Sequence, residues 1–227
     1  GSLPHGTVGE CVYKQACRQV ADFVDKTRPY LCDPAPEPCD VEMHLSGLAL
    51  VGRLDRIYGG RLVYWRYAAL KARDWLRAWI YHLAAQCADT GLSKPTILIG
   101  LAEKKKQRQQ TGVQFEAVRD PKGILEGLLE IYQAGLTRAI PFFPETSWAY
   151  ARRFLGDATK SDAALKAADR VWRGSRYSRG EREDPYYRLC FRDVDPLDDV
   201  FEDLAIAVFE PLLRYCRDLG TEDGARG

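Results

Sequence analysis

The residues with the clearest chemical potential lie in the run Gly52-Arg53-Leu54-Asp55-Arg56-Ile57-Tyr58-Gly59-Gly60-Arg61-Leu62-Val63-Tyr64-Trp65-Arg66-Tyr67. Two short alternating stretches meet at Gly59-Gly60, a pair favoured in two-residue hairpin turns. An Asp on one hairpin strand, with an acidic residue, any residue and Lys on the next, is the pattern of a metal-dependent nuclease core. There the carboxylates hold Mg²⁺ and the Lys orients the attacking water. Asp55 fills the first position, but the second strand offers Tyr64-Trp65-Arg66. A phenol thus stands where the second carboxylate would be, and a neutral phenol is a poor ligand for a hard cation. The run predicts nuclease-like scaffolding with no metal and no catalytic residue, Asp55, Tyr64 and Arg66 being the degenerate positions. A purely structural role for Asp55 is to answer Arg53 or Arg61. Glu103-Lys104-Lys105 repeats the acidic-x-Lys spelling, but it follows a later strand and is a coincidence of composition.

These residues need elements to hold them. Val12, Ala16, Val20, Phe23 and Val24 recur at helical spacing from Gly9 to about Leu31, and Asp33-Pro34-Ala35-Pro36-Glu37-Pro38 then stops the helix. Strands are predicted near 40–47, 49–58 and 61–67, and a helix over about 69–88 carries Leu70, Trp75, Leu76, Trp79, Ile80 and Leu83 as a core stripe. Strands at 96–101 and 113–118 enclose a basic excursion, Glu103-Lys104-Lys105-Lys106-Gln107-Arg108, at a hairpin tip. After Asp120-Pro121 the chain turns helical, with helices from 121, near 145–155 and 160–173, a loop from Gly174 to Asp184, and a last helix over about 197–217.

Composition bounds the function. The 227 residues include 46% hydrophobic and 29% charged positions, enough for one sizeable α/β domain. A formal net charge of +1 gives no global attraction to nucleic acid, so polyanion binding must come from local patches. No apolar run approaches the ~20 residues of a membrane span, and no signal segment opens the chain. A soluble, cytoplasmic protein is expected, as a fragment of something longer. The seven cysteines are scattered without any C-x-x-C pair, which argues for reduced, mostly buried thiols over a zinc or disulfide framework. His5, His44 and His82 are far apart and are expected to serve packing.

Several further blocks stand in order along the chain: Leu3-Pro4-x-Gly6-x-x-Gly9-Glu10, Gly52-Arg53-Leu54, Trp65-Arg66-Tyr67-Ala68-Ala69-Leu70, Trp79-Ile80-Tyr81-His82-Leu83, Pro141-Phe142-Phe143-Pro144, Asp184-Pro185-Tyr186-Tyr187, Phe201-Glu202-Asp203-Leu204-Ala205 and Phe209-Glu210-Pro211-Leu212-Leu213. Together they resemble the C-terminal domain family of RecC, the gamma subunit of exodeoxyribonuclease V, the RecBCD helicase–nuclease. The resemblance implies a restriction-endonuclease-like (PD-(D/E)xK) α/β fold on an α-β-β-β-α-β plan over about 9–118, with a helical completion over about 119–220, in one domain. It also implies lost chemistry: the family's active relative has an Asp, an Asp-x-Lys and a Gln/Tyr pair on the following helix. Of these only Asp55 matches, with Asp74, Trp75 and Arg77 on the helix face in question. An iron–sulfur staple found in some related nucleases would need a C-terminal Cys cluster that is missing. The implied role is non-catalytic DNA binding and assembly beside RecB-like and RecD-like subunits, without a cofactor.

Two clusters are candidates for contact with forked or single-stranded DNA. Lys104, Lys105, Lys106 and Arg108 could grip phosphates at the hairpin tip, or merely keep a sheet edge soluble. Arg170, Arg173, Arg176 and Arg179 interleave with Trp172 and Tyr177, a combination suited to single strands, although Glu181, Glu183 and Asp184 could instead pair with them internally. The competing functions are a pure protein–protein scaffold, which the near-zero net charge favours, and an active nuclease with unusual ligands, which a single carboxylate disfavours.

Overall fold

The computed structural model describes residues 4–31, 38–88, 90–92, 94–104, 107–156 and 161–219; among these, the side chains of 103, 104, 107 and 108 are outside the description. Helix α1 (Thr7–Thr27) is followed by strands β1 (Cys39–Leu45), β2 (Leu48–Leu54), β3 (Ile57–Tyr58) and β4 (Arg61–Ala69), then helix α2 (Ala72–Cys87) and the hairpin β5 (Thr96–Lys104) and β6 (Gln107–Phe115). The second half comprises α3 (Pro121–Thr137), α4 (Pro144–Gly156), α5 (Ser161–Arg173), a miniature hairpin β7 (Gly174–Ser175) and β8 (Ser178–Arg179), α6 (Pro185–Phe191), α7 (Asp199–Arg214) and β9 (Cys216–Asp218). This is a mixed α/β architecture around a five-stranded sheet of order β3-β4-β5-β6-β9, in which only β4 and β5 run parallel. Strands β1 and β2 form a separate antiparallel pair.

The predicted 49–58 strand is thereby corrected to two strands with different partners. Through Leu54 the chain pairs with β1; after Asp55-Arg56 it pairs with β4 across Gly59-Gly60, with Ile57 opposite Leu62 and Tyr58 opposite Arg61. The turn is tight because both glycines have positive φ, 55° and 80°. The change of partner leaves Asp55 on a two-residue hinge and buries Leu54 completely.

Side-chain alternation on β4 and β5 assigns the two faces of the sheet. Val63, Ile97, Ile99 and Leu101 meet Phe23 of α1 on one face. Leu62, Tyr64, Leu98, Val113 and Phe115 meet Trp79 and Leu83 of α2, Leu125 of α3, Trp148 of α4 and Phe209 of α7 on the other. The C-terminal helices therefore share the main core with the sheet. A second cluster, centred on Phe143, Tyr150, Trp172 and Phe201, binds α4, α5 and α7 together.

Several expectations are corrected. The 113–118 strand lies earlier, because Glu116–Val118 find their partners outside the ladder: Glu116 N–H donates to the Tyr215 carbonyl and Val118 N–H to Gln86 Oε1. The last helix ends at Arg214 instead of 217, and Cys216–Asp218 turn back to extend the sheet beside β6. The 174–184 loop contains β7, β8 and a 3-10 turn, and α6 follows it. The α1 stripe is only marginally buried: Val12, Val20 and Val24 are 41%, 41% and 46% exposed, and Phe23 alone of the five is buried. Ile80 faces outward as well. The thiols are not mostly buried, since Cys11, Cys17 and Cys190 are exposed and Cys39, Cys87 and Cys216 half-buried, all free; Cys32 falls outside the described residues. Those exposed thiols sit on outward faces of α1 and α6, where no second layer covers them.

Two carboxylates cap helix starts in series, Glu145 that of α2 and Glu181 that of α4, and the first of them ties the two halves together. Glu145, in the first turn of α4, accepts the Ala72 N–H at the start of α2 (3.0 Å). Glu181 in turn accepts from the Glu145 N–H (3.1 Å), the Thr146 N–H (2.7 Å) and the Thr146 hydroxyl (2.7 Å). Helix N-termini leave such N–H groups without intrahelical partners, and Thr146 is fully buried, so water cannot replace the carboxylate. Glu181→Ala is expected to lower stability by about 2 kcal/mol and Glu181→Gln by less, the amide oxygen keeping one acceptor. Thermal melts of the two variants check the order.

Candidate functional site

Tyr64 and Arg66, the residues expected to stand where nuclease ligands would be, are held by structural partners. Tyr64 is on the buried face of β4, 7% exposed, packed beside Tyr81 of α2 with ring centroids 5.8 Å apart. The Arg56 guanidinium lies over its ring at 5.5 Å and over Trp65 at 5.3 Å. Burial pushes the phenol pKa well up, and the nearby charge of Asp55 adds to the shift, so Tyr64 stays neutral at physiological pH. Its hydroxyl is buried with no hydrogen-bond partner among the described residues.

Arg66 sits where the register between β4 and β5 breaks, between Trp65 and Ala69. An irregularity of this kind re-aims the side chains within it. Gly100 fits the same place because a Cβ there would come within 2.4 Å of the Leu70 side chain and 3.1 Å of the Ala68 carbonyl oxygen. The Arg66 guanidinium bonds the Asp74 carboxylate at 2.8 Å, while the same Asp74 oxygen accepts the Lys71 N–H at 2.9 Å at the start of α2. Arg66 is thus occupied in fastening β4 to α2. Trp75, on the same helix face, packs on Trp148 at 4.9 Å.

Asp55 itself is exposed and forms no ion pair among the described residues. The expectation that it answers Arg53 or Arg61 is corrected: Arg53 reaches Asp40 on β1 (3.8 Å), its antiparallel partner in the register. Among the described residues, no three His, Cys, Asp or Glu side chains converge as a metal-binding group.

His82 is a packing residue. It is 4% exposed, stacked on Trp79 at 5.5 Å, and its Nε2 donates to the Glu116 carbonyl (3.0 Å) while Nδ1 meets the Thr96 hydroxyl (2.9 Å). Burial lowers its pKa to about 4, so the ring is neutral near pH 7.

The two basic clusters lie on different parts of the molecule. Lys104 stands opposite Gln107, and Arg108 opposite Glu103, at the far end of the β5–β6 ribbon. The pairing of β4 with β5 stops at Leu101 and that of β9 with β6 at Val113, so the last three register pairs extend past both neighbouring strands. Lys105 and Lys106 lie outside the described residues.

In the second cluster two of the four arginines are paired internally, Arg179 with one of the expected carboxylates and Arg173 with Asp169, which was not among them. Arg173 bonds Asp169 (2.5 Å) and Arg179 bonds Glu183 (3.2 Å). Arg176 and Tyr177 form the exposed turn of the β7–β8 hairpin, which Ser175 Oγ braces by accepting from the Tyr177 and Ser178 N–H groups. Arg170 and Arg182 form no ion pair among the described residues. Sequence reasoning missed Lys71, Arg73 and Arg188, which the fold brings to the same surface. They are far apart along the chain, and only tertiary packing unites them.

Among the described residues, no helix is long and apolar enough to cross a membrane. A family model of the RecC C-terminal domain matches residues 1–155. The chain is also similar to the RecBCD enzyme subunit RecC of Mycobacterium tuberculosis, strains CDC 1551 / Oshkosh and ATCC 25618 / H37Rv. Each is 27% identical over 189 residues, which is 82% of this chain and 16% of the relative. The chain thus spans about a sixth of the length of the curated relatives it matches. On the breadth of the family match, the chain belongs to the RecC C-terminal domain family.

Proposed function

We propose that this chain is the non-catalytic DNA-binding and assembly domain of a RecC-type subunit, acting in a RecBCD helicase–nuclease during double-strand break repair and recombination. The carrying observation is the fate of the nuclease positions: Tyr64 is a buried core residue and Arg66 is tied to Asp74. The element order α1-β1-β2-β3-β4-α2-β5, in which β3 is a two-residue strand, supports a restriction-endonuclease-like ancestry for the first half, about 9–118, with the helices of about 119–220 completing the same domain. Loss of the second carboxylate and the Lys leaves Asp55 without the set that Mg²⁺ chemistry needs.

Assembly with RecB-like and RecD-like subunits is supported by α1, whose Val8, Val12, Tyr13, Val20 and Val24 are 63%, 41%, 59%, 41% and 46% exposed. Several exposed apolar side chains along one helix suit an interaction face. DNA contact is supported by the free end of the β5–β6 ribbon, with Lys104, Lys105, Lys106 and Arg108 in its sequence. Replacing Lys104, Lys105 and Lys106 together with Ala is expected to weaken fork binding by the assembled complex and flatten its salt dependence by up to about three units of slope. Fork affinity measured from low to moderate salt checks this. An unchanged slope would remove the tip from the DNA path and favour a scaffold role for that ribbon.

A further inference from the structure

Strand β6 is paired along its whole length on the β5 side, but on its other side β9 pairs only with Val113–Phe115. The Leu219 N–H donates to the Gly112 carbonyl (2.9 Å), and just past the strand the Glu116 N–H donates to the Tyr215 carbonyl (2.9 Å). The even-numbered residues of β6 therefore turn their backbone groups away from β5. By the same period the N–H and C=O groups of Gln110 and Arg108 point off the sheet, and among the described residues no strand pairs with them. An open edge of this kind is a template for a further strand. Its central residues, Gln109-Gln110-Thr111, carry neither charge nor Pro to block one.

The face beside this edge has room for a side chain. Residues directly opposite in an antiparallel pair share a face. Leu219, which continues the β9 register opposite Gly112, lies so close over it that a Cβ on Gly112 would meet Leu219 Cδ1 at 2.5 Å. On this face a cleft of about 900 Å³ opens between α1 and β6, with Phe23, Tyr67, Ile99 and Leu101 among its walls. A strand laid along the edge would set the residue opposite Gln110 over that cleft, beside Leu101, the β5 partner of Gln110. The edge is already fixed in place, because Gln110 Nε2 donates to the Thr27 hydroxyl of α1 (3.5 Å).

Backbone chemistry and charge select the occupant. An extended polypeptide supplies alternating donors and acceptors at strand spacing, whereas a helix uses its own internally and a DNA backbone offers acceptors alone. At the far end of the edge Lys104, Lys105, Lys106 and Arg108 stand against Glu103 alone in the sequence, which calls for acidic residues on the segment there. We propose that the β6 edge takes an extended segment of a partner subunit by strand addition, with an apolar residue opposite Gln110 in the cleft and acidic residues beyond it. This rests on the assembly reading above and adds to it a contact made by the sheet edge instead of the α1 stripe.

The test removes one backbone donor. Gln110→Pro deletes the outward N–H and leaves the inward bonds of Gln109 and Thr111 to β5 in place, while Gln110→Ala keeps the N–H and loses only the tie to Thr27. The Pro variant is expected to weaken association with the RecB-like and RecD-like subunits about tenfold, read by titration, and the Ala variant to associate like wild type. Amide hydrogen exchange at Gln110 and Arg108 is expected to be fast in this chain alone and slowed about tenfold or more in the assembled complex. Unchanged thermal melts verify the fold, and Arg108→Pro, nearer the free end of the ribbon, gives the same readout if Gln110→Pro unfolds. If wild type and the Pro variant assemble equally, strand addition is overturned and the assembly reading stands. If both amides are already protected in this chain alone, or become so on its self-association, the edge is filled by the chain itself or by a second copy, and the proposal is overturned. If the Pro variant assembles normally but the complex loses fork binding, the edge serves DNA and the proposal is again overturned. Failure of wild type to associate with the other subunits overturns both readings.

Discussion

A Tyr64→Asp/Arg66→Lys variant, which restores the residue types of a working metal site, is expected to lose about 3–5 kcal/mol of stability and to gain no nuclease activity. Truncating a buried aromatic in a packed core leaves a cavity worth several kcal/mol, and Tyr64 is 7% exposed under Tyr81 and Arg56. The new carboxylate would also lie beside Asp55 in a site that already drives a phenol towards its neutral form by burial. Replacing Arg66 removes a bidentate-capable group from Asp74 and loosens β4 from α2. Tyr64→Phe is the contrast: its hydroxyl has no partner among the described residues, so its deletion is expected to be neutral or slightly stabilising. Urea denaturation of the variants checks the order, Phe variant above or equal to wild type and the restored motif far below.

Stability is also expected to fall steeply in mild acid because of His82. In the folded chain its pKa is lowered to about 4 by burial, against about 6.5 in the unfolded chain. The unfolded state therefore binds the proton first, and the stabilisation, complete above about pH 6.5, is lost as the pH falls. The loss reaches about 2 kcal/mol by pH 5 and about 3 kcal/mol near pH 4, where it levels off. His82→Gln keeps a polar side chain at the seam of Thr96 and Glu116 but has nothing to titrate. Its stability should lie below wild type at pH 7 and decline less between pH 6.5 and 5, as urea midpoints across that range would reveal. Parallel curves for the two proteins would remove His82 as the acid-sensitive group.

The parts legible in the sequence are those decided locally. Gly59-Gly60 announced its hairpin because both residues must take positive φ, and α2 was visible because Trp75, Trp79 and Leu83 repeat at helical spacing over a core. The spelling Tyr64-Trp65-Arg66, without a carboxylate or a Lys, was equally plain. What stayed hidden depends on distant partners. Cys216–Asp218 has no strand pattern of its own and becomes β9 because β6 offers an edge next to the end of α7. The valines of α1 signalled an amphipathic helix, yet periodicity cannot say that their face would remain largely uncovered. Helix α6 did carry a local signal, Asp184 capping the Tyr186 N–H with Pro185 in the first turn, but at seven residues it was too short to show a period. The convergence of Lys71 and Arg73 with Arg170 exists only after α4 and α5 dock beside α2.

The proposal that this domain does not cut DNA rests on Tyr64 and Arg66 being committed to the core and to Asp74. The most direct measurement is cleavage: the chain is incubated with single- and double-stranded DNA in Mg²⁺ or Mn²⁺. Intact DNA is expected under every condition. Metal-dependent cleavage that disappears in Asp55→Ala would contradict it.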